Sequence, residues 1–195
     1  GVDPAISLSD DADRFAISLI GVTEDRSTVF LLKTWAGKIP FHEQLEKLAD
    51  WHRKFRPSAI GVENTAFQRV LADQLGRMDG MPTVVGIPAE GKKVERMMGM
   101  SPLFASGRVR IHPTHRDFIE EWIDYDSSKR NTNDDLLDAV EISLRTAGIL
   151  LPDAPDVVQF GQTGPESFDE WVQRNRAARK RGKGRAFDPD MGVEF

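Results

Sequence analysis

Three strand-like runs in succession, followed by helices that alternate with single strands, constrain this chain more than any other feature. Phe15 to Val22 and Val29 to Trp35 are β-rich and are separated only by Thr23-Glu24-Asp25-Arg26-Ser27, polar turn formers that predict a hairpin-like connection. Val2 to Leu8 precedes them as a third run. From Phe41 to Phe55 the apolar residues recur at helical spacing, with Leu45, Leu48, Ala49 and Phe55 on one stripe, until Pro57 ends the pattern. Ala59 to Val62 then reads as a short buried strand, Ala66 to Met78 as a helix and Thr83 to Ile87 as a strand. A Lys-rich helix around Val94 to Met100, a short Val109 to Ile111 strand and helices over Arg116 to Tyr125 and Asp134 to Ala147 complete the pattern. A meander followed by such alternation predicts a three-layer α/β fold: a mixed central sheet, its first three strands antiparallel and the later ones parallel, flanked by helices.

The periodicity stops near Leu150, where the domain boundary is expected. Residues 1–150 form the predicted domain, and 151–195 read as a Pro/Gly-rich linker and basic C-terminal tail, partly disordered when free. Charge divides the same way. The net charge of the 195 residues is −5, which taken whole argues against a nucleic-acid partner, but residues 174–185 hold seven bases and no acid. These are Arg174, Arg176, Arg179, Lys180, Arg181, Lys183 and Arg185. The chain has no Cys, so disulfides and Cys zinc sites are excluded. No apolar run approaches the roughly 20 residues that span a bilayer, and a soluble, cytoplasmic protein is expected. The opening Gly1-Val2-Asp3, without an initiator Met, sets the expectation of a piece of a longer polypeptide.

Acids fall where strands end and a helix begins. Asp3 interrupts the first strand, Glu63 follows the Ala59 to Val62 strand, and Asp134, Asp135 and Asp138 open the last helix. In open α/β sheets the crevice beyond the strand ends is where ligands bind. Each acid also has a plainer reading: Asp3 as a surface turn residue, Glu63 as helix-entry chemistry before Asn64-Thr65, and Asp134 and Asp135 as complements to the helix dipole behind an Asn133 cap. Helical phase distinguishes the last group. Asp134, Asp138, Glu141 and Arg145 fall on what reads as a solvated polar stripe, while Asp135 lies at the border with the apolar face of Leu136, Leu137, Val140, Leu144 and Ala147. Crowded carboxylates need a cation to remain ionised, and oxygen-only ligation favours Mg2+ or Mn2+ over zinc. Two such ions can hold a scissile phosphate between them. Zinc-protease, nucleotide-cradling and serine-hydrolase motifs are all missing from the sequence.

The ordered set, Gly1-Val2-Asp3-Pro4, two further strands, Gly61-Val62-Glu63-Asn64 and a late Asp134-Asp135-x-x-Asp138-Ala139 helix, resembles the ribonuclease H-like nuclease fold. Within it the chain is similar to the carboxyl-terminal nuclease domain of the large terminase subunit of tailed phages. Gly91-Lys92-Lys93-Val94-Glu95-Arg96-Met97 and Ser101 to Val109 carry the likeness between the second and third acidic motifs. The resemblance covers most of residues 1–150. It implies a Mg2+- or Mn2+-dependent endodeoxyribonuclease, with two ions, that cuts concatemeric double-stranded DNA in the host cytoplasm. Asp3 corresponds to the first metal ligand, Glu63 to the second, and Asp134, Asp135 or Asp138 to the third, with Asp135 ranked first. The implied partners are DNA, an N-terminal ATPase domain, the portal and the small terminase subunit, with no membrane and a monomeric isolated domain. No Gly-x-x-x-x-Gly-Lys-Ser/Thr occurs, so no ATPase activity is expected of these residues.

Lys92, Lys93, Arg96, Arg108 and Arg110, with the basic tail, are the candidate phosphate contacts, positioning DNA without reading its sequence. The tail reads equally as an arm for the portal. Met97, Met98 and Met100 are expected to pack their helix, and His112 and His115 to serve its successor as caps rather than as bases. Two alternatives stand beside the terminase reading: a junction resolvase or transposase-like nuclease of the same fold, and a non-catalytic DNA-binding or motor-docking module whose acids are helix caps.

Overall fold

The computed structural model describes residues 1–5, 14–63, 66–78, 80–88, 91–126, 133–150 and 158–160. The expected tail bases from Arg174 to Arg185 lie outside the described residues, as does most of the segment after Leu150. Twelve elements follow in order: β1 (Val2–Asp3), β2 (Phe15–Val22), β3 (Val29–Gly37), α1 (Phe41–Phe55), β4 (Ala59–Glu63), α2 (Ala66–Arg77), β5 (Thr83–Ile87), α3 (Lys93–Ala105), β6 (Val109–Ile111), α4 (Arg116–Asp124), α5 (Asp135–Thr146) and β7 (Val158–Phe160). The strands form one sheet in the order β6-β3-β2-β1-β4-β5-β7. As expected, β1, β2 and β3 are antiparallel, while β4 is parallel to β1 and β5 to β4. At the edges β6 runs parallel to β3, and β7, from the segment after Leu150, runs antiparallel to β5.

Local chemistry sets the boundaries. Between β2 and β3, Thr23 and Thr28 close the hairpin (Thr23 N–H to Thr28 O, 3.0 Å), the Asp25 carboxylate accepts the Ser27 N–H, and Arg26 takes a left-handed φ of 60°. Helix α1 stops at Arg56, φ 48°, because the residue before Pro57 is disfavoured in the helical region. Helix α3 runs past the expected end at Met100 to Ala105, carrying Pro102 inside it. Among the described residues no helix is long and apolar enough to cross a membrane.

Side chains alternate across the sheet. Val2, Phe15, Ile17, Ile60, Val62 and Val84 face α1 and α2, packing with Leu48, Leu71 and Leu75. Ala16, Val29, Leu31 and Val109 face the other way, onto α5 and its neighbours α3 and α4, with Met97, Met100, Phe118, Leu137, Val140 and Leu144.

Helix α5 is the central element of that second layer, and the structure corrects the sequence reading of its polar side. Glu141 and Arg145, expected on a solvated stripe, are 2% and 5% exposed. The stripe is not solvated because α3 and the strand end at Pro88 cover it: Arg145 donates to Pro88 O at 2.7 Å, and Arg96 of α3 approaches Glu141. A helical wheel assigns one face to the core, and here the core surrounds the helix. The cap is also corrected. The helix is preceded by Asp134, not Asn133, and the Asp134 side chain makes no capping bond. Nor does His115 cap α4 through its side chain, although it holds the capping position.

Candidate active site at the strand ends

The two strands that carry Asp3 and Glu63 share a tripeptide pattern, Gly1-Val2-Asp3 and Gly61-Val62-Glu63. They are parallel neighbours in register, with Val2 opposite Val62. By alternation the two valines face the α1/α2 core, while glycine and acid share the α5 face. The glycines are needed there because α5 lies against the backbone. A Cβ at Gly1 would stand 2.1 Å from Ala139 O, and one at Gly61 would stand 1.7 Å from Thr146 Oγ1. Ser18 of β2, also small, donates its hydroxyl to Ala139 O at 2.6 Å. One strand residue pair beyond each glycine, roughly 6 to 7 Å, the acids emerge beside the first turn of α5, where Asp134, Asp135 and Asp138 arrive.

All five sequence-predicted carboxylates are therefore brought to one end of the sheet. Their proximity is evident in Asp3, whose pKa lies well above the ordinary carboxylate range. Burial raises it first, then the negative charges of Asp138, Asp135 and Glu63, against partial relief from Lys93. Asp138 is also raised, by burial ahead of Asp134 and against Lys93 and Arg96. Glu141, behind them, is pushed up to about 7 by burial despite Arg145 and Arg96.

Two predicted DNA-contacting cations lie inside this cluster. Lys93 Nζ is 2.8 Å from Asp134 Oδ2 and 2.5 Å from Asp138 Oδ2. Burial would lower its pKa, but the carboxylates outweigh that effect and hold it above the usual lysine value. Arg96, one helical turn on, reaches Asp138 at 3.4 Å, Glu63 at 3.7 Å and Glu141 at 3.8 Å. Lys92 is exposed, and its backbone N–H is 3.3 Å from Glu95 Oε2. Arg108 and Arg110 are exposed but do not join the cluster. Their strand pairs with the start of β3, Arg110 opposite Phe30, whereas Asp3 is level with Ala16 and Ala36. That places them roughly 20 Å along the strand from the acids.

Sequence reasoning missed Arg14 and Glu121. Arg14 Nε donates to Asp135 Oδ2 at 2.8 Å, and its Nη2 pairs with Glu121 Oε1. Glu121 Oε2 in turn accepts the Leu136 N–H at 2.9 Å. Burial raises the Glu121 pKa even against the Arg14 hydrogen bond. A signal existed: Phe118, Glu121, Trp122 and Tyr125 recur at apolar helical spacing, so Glu121 is an acid on the core face of its helix. Met97 and Met100 pack as expected, whereas Met98 is 66% exposed.

The donor set, all carboxylate oxygen, suits a hard divalent cation. Among the described residues no three acid or imidazole groups converge into a formed metal cage, and Lys93, Arg96 and Arg14 provide the positive charge. The carboxylates gathered here, Asp3, Glu63, Asp134, Asp135 and Asp138, outnumber the cations Lys93, Arg96 and Arg14 that pair with them, a balance that suits a divalent ion.

A mixed sheet with an antiparallel three-stranded start, a parallel continuation and acids at adjacent strand ends opposite a helix start defines the ribonuclease H-like class of α/β folds. Residues 1–145 match the family model described as the terminase RNaseH-like domain, and the chain belongs to that family. Membership implies the DNA-cutting domain of a phage terminase large subunit. No match was found among the curated proteins or the solved structures.

Proposed function

We propose that this domain is a divalent-metal-dependent endonuclease that hydrolyses phosphodiester bonds of double-stranded viral DNA during packaging. The observation that carries the reading is the gathering of Asp3, Glu63 and Asp138 from two adjacent strand ends and one helix, with the pKa of Asp3 raised by burial and then by the surrounding carboxylates. Asp3, Glu63, Asp138 and Asp135 would hold Mg2+ or Mn2+, with Asp134 beside them. When bound, the metal supplies an activated water and stabilises the leaving oxygen. The protein's own contribution is to fix the carboxylates on rigid strand and helix ends. The α5 N-terminus adds its dipole, which favours negative groups at that place. Lys93 and Arg96 offset part of the negative charge of Asp134, Asp138 and Glu63 and would lie beside a phosphate held at the site. Lys92 and the bases from Arg174 to Arg185 attract the DNA backbone, and Arg108 and Arg110 extend that contact at the far end of the sheet. The wider packaging machinery, an ATPase domain, the portal and the small terminase subunit, would deliver the concatemer.

The test is incubation of supercoiled plasmid with the purified chain in EDTA, Mg2+ or Mn2+. Metal-dependent nicking is expected from the wild type, and its loss from Asp3→Ala, Glu63→Ala and Asp138→Ala variants of unchanged circular dichroism. Full activity in the Asp3→Ala or Glu63→Ala variant sinks the assignment.

A further inference from the structure

Arg14 and Glu121 lie beside the acids without belonging to the set of oxygens proposed to hold metal, and they reach that set through Asp135. The layout is specific. A helix start leaves N–H groups that need acceptors, and the nearest acid, Asp134, makes no capping bond; its carboxylate is paired with Lys93. The acceptor comes instead from another helix: Glu121 of α4, 7% exposed, takes the Leu136 N–H. Its second oxygen pairs with Arg14, and the Arg14 Nε binds Asp135 Oδ2. Arg14 is itself fixed to the sheet, because it directly precedes β2, whose Phe15 is fully buried and opposite Gly37. The α5 start and the Asp135 carboxylate are thus both referenced to α4 and to the sheet strand beside Asp3. An arginine fork imposes orientation as well as charge, which a lysine would not.

We propose that Arg14 and Glu121 are positioning residues for the metal site: Glu121 orients Arg14, and Arg14 orients Asp135 toward the metal held with Asp3 and Glu63. The inference rests on the nuclease reading above. A purely structural link among β2, α4 and α5 would change stability alone. A positioning link changes metal affinity in protein that remains folded. Removing outer partners of metal ligands typically weakens metal binding by about 10- to 100-fold.

The experiment compares the wild-type chain with Arg14→Gln, Arg14→Lys and Glu121→Gln. Fold and stability are read in EDTA by circular dichroism and thermal unfolding. Mn2+ binding is read by calorimetry without DNA, and plasmid nicking against Mn2+ concentration is fitted for half-saturation and limiting rate. Arg14→Gln is expected to raise the Mn2+ dissociation constant and the half-saturating concentration together, by about 10- to 100-fold. Arg14→Lys should recover part of the loss, since it keeps the charge and not the fork. Glu121→Gln, which retains an oxygen for the Leu136 N–H but loses its charge toward Arg14, should fall between Arg14→Gln and wild type. Unchanged Mn2+ affinity in folded Arg14→Gln overturns the proposal. If that variant fails to fold, unchanged affinity in Arg14→Lys and Glu121→Gln overturns it equally. A wild type that neither binds Mn2+ nor nicks DNA removes the nuclease reading and this inference together, whereas normal wild-type binding with indifferent variants removes the positioning role alone.

Discussion

Replacing Gly61 by alanine adds one methyl group at the point where α5 meets the sheet, and the structure gives that methyl nowhere to go. The new Cβ would lie 1.7 Å from Thr146 Oγ1, 3.0 Å from Thr146 Cβ and 3.1 Å from Ile142 Cγ2. The Thr146 hydroxyl cannot simply turn away without loss, since it donates to Ile142 O at 2.6 Å in a buried setting. Relief therefore requires α5 to lift from β4. Overpacking of this kind costs about 1 to 3 kcal/mol, and for a chain of this size that lowers Tm by roughly 2 to 4 °C per kcal/mol. The same displacement carries Asp135 and Asp138 away from Asp3 and Glu63, so nicking should fall more steeply than stability alone accounts for at temperatures where the variant is fully folded. Urea unfolding and plasmid nicking on Gly61→Ala, Thr146→Ala and the double variant form a cycle. Thr146→Ala alone loses a hydrogen bond worth about 1 kcal/mol. The double variant should be more stable than the sum of the two losses by 0.5 kcal/mol or more, the range of coupling typical of residues in contact. A Gly61→Ala protein as stable and as active as wild type would refute the close-approach argument.

Three further outcomes follow from the charges. Lys93→Met leaves Asp134 without its cation and Asp138 with Arg96 alone, so the metal-free protein should unfold earlier and Mn2+ should raise its Tm by more than it raises that of wild type; an equal Mn2+ increment contradicts this. Glu141, with a folded pKa raised to about 7 from 4.5, binds a proton more readily in the fold than in the unfolded chain. It contributes stability at low pH that is lost as pH rises from about 4.5 through 7, so Glu141→Gln should gain on wild type between pH 5 and pH 7.5 in urea midpoint; a difference independent of pH refutes it. Deleting residues 174–195 removes the seven clustered bases and should weaken DNA binding while flattening its salt dependence, because fewer counterions are released. An unchanged salt slope would assign those bases to another partner.

Much of the fold was legible because its signals are local. The hairpin between Val22 and Val29, the stop at Pro57 and the short apolar strands Ala59 to Val62 and Thr83 to Ile87 all follow from turn chemistry and periodicity, and the structure has them in place. The acids at Asp3, Glu63 and Asp135 were legible for a related reason: each breaks an apolar pattern at an element's end. What sequence could not supply was the partner of each charge. Lys93 and Arg96 read as surface cations until α3 is seen to lie across α5, and Glu141 and Arg145 read as solvated until the same helix covers them. A single amphipathic stripe is the expected pattern only for a helix with one buried face. Arg14, alone at the start of β2, carries no periodic signal at all; its role depends on Glu121, 107 residues away.

The route by which the acids meet sets the time during synthesis at which the proposed site is complete. Asp3 and Glu63 leave the ribosome before α5, which brings the remaining carboxylates, occupies the middle of one layer and begins only at Asp135. At roughly 5 to 20 residues per second of synthesis, several seconds separate the first acid from the last. During that interval the nascent domain holds neither a complete set of carboxylates nor the helix that holds the two glycine strands to a fixed distance. On the nuclease reading proposed above, cutting competence would wait until α5 is made, and a chain truncated before α5 would lack part of the proposed set of carboxylates.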